Sequence, residues 1–201
     1  MKRRKPLLCA LALSIWISAC SSDQKSQLWI SYLPPRDIAT ALPAPAARSI
    51  AIGDFEDERR RTREDVLVER VQDRNRSAQR EYRLVTPFPL LVQDHIRTSL
   101  EGARYRVTAF SEADFVITGS IIDFEVTELA GPIYSDLTAN IVIELRLTDR
   151  RSGQLVWSER VGGSGSIRNS TDIKSVYTAT LDAFTRQFVS EPGLQAAVLA
   201  N

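Results

Sequence analysis

Two stretches limit the fold more than anything else in the chain: residues 114–128, DFVITGSIIDFEVTE, and residues 139–149, ANIVIELRLTD. Successive side chains of an extended chain point to opposite faces. In the second stretch Ile141, Ile143, Leu145 and Leu147 alternate with Asn140, Val142, Glu144 and Arg146, which predicts a strand with one buried face. In the first, Val116, Thr118, Ser120, Ile122, Phe124 and Val126 share one face, and Phe115, Ile117, Gly119 and Ile121 the other. The second face turns polar at Asp123, Glu125 and Thr127, so the strand reads as covered on both sides at its start and on one side at its end. A turn at Asp149–Gly153 brings back Leu155–Val161 as the partner of a hairpin, with Trp157 on the side of Leu155, toward the core. Strands with one apolar face need a second layer.

Helices supply that layer. Pro89 suits a first helical turn, and Leu91, Val92, Ile96 and Leu100 form a stripe, with Gly102 placed for a left-handed cap. Ile173, Val176, Tyr177, Leu181, Phe184 and Phe188 trace a second helical face, capped by Ser170 or Thr171 and closed by Pro192 and Gly193. Ser49–Phe55 alternates as a first strand. Residues 66–86 are ambiguous: Leu67, Val68 and Val71 fit a helical face, whereas the β-branched valines favour a strand. The pattern there is read as a short helix or irregular segment followed by a short strand, and Gly162–Ser166 as a flexible connector. The expected class is α+β, a mainly antiparallel sheet packed against two or more helices, in a single domain over residues 47–201.

The N-terminus carries a targeting signal. Lys2, Arg3, Arg4 and Lys5 precede an apolar stretch, Pro6–Ala19, shorter than the ~20 apolar residues of a permanent membrane helix. Ile17-Ser18-Ala19-Cys20 resembles the lipobox of bacterial lipoproteins, which implies cleavage before Cys20, diacylglycerol on its thiol and attachment to the membrane. Ser21 in that scheme implies sorting to the outer membrane. Residues 1–19 are then signal peptide, and residues 20–46, with Pro34, Pro35, Pro43 and Pro45, a lipid-anchored tether. Within it Trp29, Ile30, Tyr32 and Leu33 break the polarity. Three placements are open to them: packing back on the domain, docking on a partner, or lying at the bilayer surface. The cysteines are Cys9 and Cys20, so the mature domain has no internal disulfide. Loss of the signal turns a formal net charge of +1 into a mildly acidic balance, which gives nucleic-acid binding no support.

Residues that could carry chemistry are sparse. His95 is the single histidine, too few for a histidine–cysteine zinc site, and no twelve-residue calcium loop occurs, so no metal or cofactor is expected. Asp94, His95 and Ser99 share one helix, but Asp94 points away from the other two. A helix-surface histidine is the plainer reading. Asp54, Asp57 and Glu58 lie beside arginines that offer salt bridges. No catalytic residue is assigned.

Three motifs together resemble the YajG-like outer-membrane lipoproteins and the related auxiliary lipoproteins of ABC-type transport systems. They are Ile50-Ala51-Ile52-Gly53-Asp54-Phe55 with Asp57 and Arg59; Ala113–Gly119 leading into Ile122-Asp123-Phe124; and Thr148-Asp149, Ser152-Gly153 and Val156-Trp157. The resemblance spans roughly residues 48–190 and implies no enzyme, cofactor or catalytic residue. The expected function is that of a non-catalytic, lipid-anchored periplasmic protein at the outer membrane. It would be held by lipid on Cys20 and bind another envelope protein or lipid. The expected contacts are Trp29, Ile30, Tyr32 and Leu33, or a sheet edge near residues 114–128 with Glu125. An auxiliary role in ABC-type lipid or solute transport and a periplasmic enzyme are the alternatives. The sequence specifies no oligomeric state.

Overall fold

The computed structural model describes residues 27–33, 35, 37–38, 47–59, 63–73, 76–131 and 133–199. Cys20, the signal peptide and most of the tether lie outside the described residues. The strands are β1 (Gln27–Leu28), β2 (Ser49–Asp57), β3 (Val66–Asp73), β4 (Arg76–Leu84), β5 (Arg106–Val107), β6 (Phe115–Ala130), β7 (Ser135–Asp149) and β8 (Leu155–Ile167). The helices are α1 (Phe88–Gly102), α2 (Ile173–Val189) and α3 (Pro192–Leu199). All strands join one mixed sheet. Its long ladders, β3/β4, β6/β7 and β7/β8, are antiparallel, while the parallel contacts of β1, β2, β3 and β5 are short. The fold is α+β, with helices against one face of the sheet.

β6 is the spine. β7 follows one edge over its whole length, while β2 pairs with Phe115–Ile121 and β3 with Val126–Leu129 along the other. The two-sided reading of this strand has a different cause from the expected one. Ile121 pairs with Ile143 and Asp123 with Val142, leaving Ile122 as an unpaired bulge residue. The extra residue switches the parity. Phe115, Ile117, Gly119 and Ile121 are buried before it, and Phe124, Val126 and Glu128 after it, on one continuous core face. A second shift in β7/β8 makes Val156 the extra residue and turns Trp157 inward, leaving Leu155 and Val156 exposed. Trp157 therefore does not share the side of Leu155.

Residues 66–73 and 76–84 pair as antiparallel strands, so the expectation of a helix or irregular piece over Val66–Val71 is corrected. The β-branched valines follow their strand preference, and pairing with β6 gives the segment an edge that local propensity alone does not reveal. Gly162–Ser166 is also not a connector but the second half of β8. A Cβ on Gly163 would stand 2.6 Å from both Thr180 O and Phe184 N, and one on Gly165 2.6 Å from Thr180 N. The glycines let the backbone of α2 lie directly on the strand.

The core centres on Phe88 of α1, Phe124 of β6 and Tyr177 of α2, with ring centroids 5.0 to 6.4 Å apart. The caps differ from the sequence reading by a residue or two. Asp172, not Ser170 or Thr171, caps α2 by accepting from Lys174 N at 3.1 Å, while Ser170 Oγ accepts from Asp172 N. The left-handed residue after α1 is Arg104 (φ 70°), not Gly102. Pro192 and Gly193, expected to close α2, instead begin α3, and Gly193 gives Trp157 its space.

Candidate functional site

The segment entering the fold from the N-terminal side is two-faced. Leu28 is buried and Ile30 and Tyr32 are half-buried, whereas Trp29, Ser31 and Leu33 are exposed. The sequence offered these apolar residues as one cluster, but strand-like alternation divides them. Leu28, in β1, pairs with Leu84 of β4, and its carbonyl accepts from Val85 N. Ile38 is also buried in the core. Folded structure thus reaches upstream of Arg48, into the segment read as tether.

Tyr32 docks the segment onto α1 and α2. Its hydroxyl donates to Asp182 Oδ1 at 2.9 Å and contacts Thr185 Oγ1 at 3.3 Å. Its ring meets that of His95 edge-on, with centroids 4.1 Å apart. His95 Nε2 lies 2.9 Å from Thr185 Oγ1, which in turn lies 3.1 Å from Ser99 Oγ. Farther along, Arg186 Nε binds Asp37 Oδ2 at 3.0 Å. Burial raises the Tyr32 phenol above its ordinary range. Burial also lowers His95 to about 3, so the ring is neutral at physiological pH. His95 is therefore an interior residue and not the helix-surface histidine expected. Its packing against Phe184 of α2 and against Tyr32 decides this, and neither contact is visible in the pattern of α1 alone. Asp94 is exposed, and Thr185 stands between His95 and Ser99, so the three residues of that helix are not assembled as a triad.

Of the other sequence candidates, Asp54 and Glu58 are exposed, and Asp57 is occupied in holding the fold. Asp57 takes Arg59 through Oδ1 at 2.7 Å and Oδ2 at 2.6 Å, and the buried guanidinium stacks 4.2 Å from the Phe88 ring centroid. Asp114 accepts from Ser49 N and Oγ, tying the starts of β2 and β6 together, and these bonds hold its carboxyl below the usual range. Asp149 accepts from Ser152 N, Ser152 Oγ and Arg151 N, with Gly153 at φ 71° closing the turn. The motif aspartates Asp114 and Asp149 thus organise strand ends. Among the described residues, no three His, Cys, Asp or Glu side chains gather where they could hold a metal.

Glu125 sits on β6, which is central, so the expected sheet edge near residues 114–128 does not exist. The strand has neighbours on both sides. The Glu125 carboxylate pairs with Arg70 at 3.0 Å and borders a cleft of ≈ 600 Å³ that Arg59, Gln79 and Asp123 also line. Sequence reasoning missed a further feature, the β6–β7 turn, where Ile133 is 95% exposed beside exposed Tyr134 and Leu129. Its signal was two large apolar residues directly after a Gly-Pro turn.

No family model matches the chain, and no curated protein matches it either. Among solved structures it is similar to protein XCC0632 from Xanthomonas campestris, of family DUF330. That likeness has 15% identity and a TM-score of 0.53, over 85% of this chain and 95% of that one. Hypothetical protein CT253 from Chlamydia trachomatis follows at 12% identity and TM-score 0.47, over 79% and 100%. Lipoprotein GNA1162 from Neisseria meningitidis follows at 12% and 0.37, over 65% and 90%. The likeness to XCC0632 is one of fold. The YajG-like resemblance has no family-model match beside it.

Proposed function

We propose that this chain is a cell-envelope lipoprotein, anchored through Cys20, whose domain acts by binding another envelope component and not by catalysis. The observation that carries the reading is the division of the N-terminal segment. Ile30 and Tyr32 are engaged with the domain, while Trp29 and Leu33 are turned outward beside the expected anchor. Both outward side chains are mostly exposed and so are available for contact. His95 is packed against Tyr32 and Asp57 is paired with Arg59, so both serve the fold, which also favours binding. Outer-membrane placement is part of the proposal and is supported by Ser21 through the lipobox resemblance. An auxiliary role in ABC-type transport is the second reading: the three motifs together resemble that group too, while Ile50–Phe55 stands nearer the YajG-like one.

The anchor is tested by intact mass of the membrane-extracted protein. The expected chain begins at Cys20 with added acyl mass, and Cys20→Ala is recovered without lipid in the soluble fraction. Lipid mass on Cys20→Ala would overturn the reading.

A further inference from the structure

The outward face of the N-terminal segment is apolar where an alternating strand ordinarily turns polar. Trp29 is 66% and Leu33 84% exposed, with Ser31 between them on the same face. Val85, also exposed, donates its N–H to Leu28 O and so borders this segment, and Leu90 is exposed on the first turn of α1. Docking of Tyr32 on Asp182 and Thr185 fixes which way the face points.

The chain leading to this face is short. From Cys20 to Gln27 it spans at most roughly 25 Å fully extended. A lipid on Cys20 therefore keeps Trp29 close to the bilayer at all times. Effective concentration does much of the work, and a weak intrinsic affinity is enough. Tryptophan is suited to the headgroup level, where its ring meets acyl chain and its N–H meets water, and leucine to the layer just beneath. A few side chains fall well short of the ~1,000 Å² that a specific protein interface needs, whereas a tethered bilayer contact has no such threshold.

We infer that Trp29 and Leu33, with Val85 bordering them, are a membrane-seating surface that rests on the bilayer holding the acylated Cys20. This inference rests on the lipid-anchor reading. It orients the helical layer near the N-terminal segment toward the lipid and leaves the β6–β7 turn and the open sheet face to other partners.

Mature chain holds two tryptophans, Trp29 and Trp157, so Trp157→Phe leaves Trp29 as sole reporter. The acylated full-length protein is placed in phosphatidylcholine–phosphatidylglycerol vesicles with and without bromine on the upper acyl chain. Flotation and tryptophan emission are then read together. Trp29 is expected to shift to the blue and to be quenched by bromine, as a side chain at the headgroup–acyl boundary is. Leu33→Trp in a background of Trp29→Phe and Trp157→Phe should behave likewise, and Arg151→Trp in that background should not. If Trp157→Phe disturbs the fold, the difference between native protein and Trp29→Phe gives the same readout. Protein that floats while Trp29 and Leu33→Trp are quenched no more than Arg151→Trp overturns the seating surface alone. Protein that fails to float overturns the lipid anchor itself. Capture of a protein, and no lipid, by a crosslinker at Trp29 assigns the surface to that protein and also overturns the inference.

Discussion

His95 makes the fold acid-sensitive at a single, assignable position. It is the only histidine in the chain, is buried between Tyr32 and Phe184, and has Nδ1 without a hydrogen-bond partner. Protonation would place an unpartnered donor and a charge among these rings, and burial accordingly lowers its pKa to about 3. In the unfolded chain a histidine titrates near ~6.5. The folded value is the depressed one, so the contribution to stability is complete above pH ~6.5 and is lost as pH falls toward about 3. Between these values the unfolded chain binds one more proton, a slope of ~1.4 kcal/mol per pH unit, which accumulates to about 2–3 kcal/mol by pH ~4.5. Urea unfolding of the acylated protein in detergent, from pH 7 to 4, measures it. Carboxylates add a slope of their own, but they are common to native protein and to His95→Gln. The native slope should be steeper by about one proton over this window, whatever His95→Gln costs at pH 7. Parallel slopes, or a His95 ring proton in the folded protein that titrates near ~6.5, would refute the burial argument.

Two further perturbations test the packing. Gly163→Ala puts a methyl 2.6 Å from helix backbone atoms that cannot rotate away, and should cost about 1–3 kcal/mol of unfolding free energy. The neighbouring Gly162→Ala meets only Ile141 O at 3.5 Å and should stay within about 0.5 kcal/mol of native; equal losses would contradict the close approach of α2. Tyr32→Phe removes the bonds to Asp182 and Thr185 and should cost about 0.5–1.5 kcal/mol while speeding proteolysis within residues 27–38. Unchanged proteolysis would show that these bonds do not hold the segment down.

Much of this architecture is legible in the sequence because burial imposes a period. The alternation in 139–149 and the stripe from Ile173 to Phe188 correspond to β7 and α2. The misreadings arise where one residue alters the period or where tertiary partners decide. Ile122 and Val156 are single inserted residues, and each reverses the parity of everything beyond it. Gly163 and Gly165 resemble a loop until the helix lying on them is known. Residues 66–73 become a strand because β4 and β6 accept them. For the candidate site, the four apolar residues Trp29, Ile30, Tyr32 and Leu33 are visible in the sequence. Their division into inward and outward pairs depends on where β1 docks. The resemblance motifs point to strand ends and turns, which explains why they carry fold and not function.

Photocrosslinking in intact cells, with probes at Trp29 and Glu125 and a reference on the exposed turn at Arg151, addresses envelope binding directly. Trp29 should capture phospholipid, or an envelope protein in contact with it, well above Arg151, and Glu125, whose carboxylate is held by Arg70 on a central strand, should capture less. If neither Trp29 nor Glu125 captures lipid or protein above Arg151, the domain does not bind the envelope through either surface, and the binding role proposed for it fails.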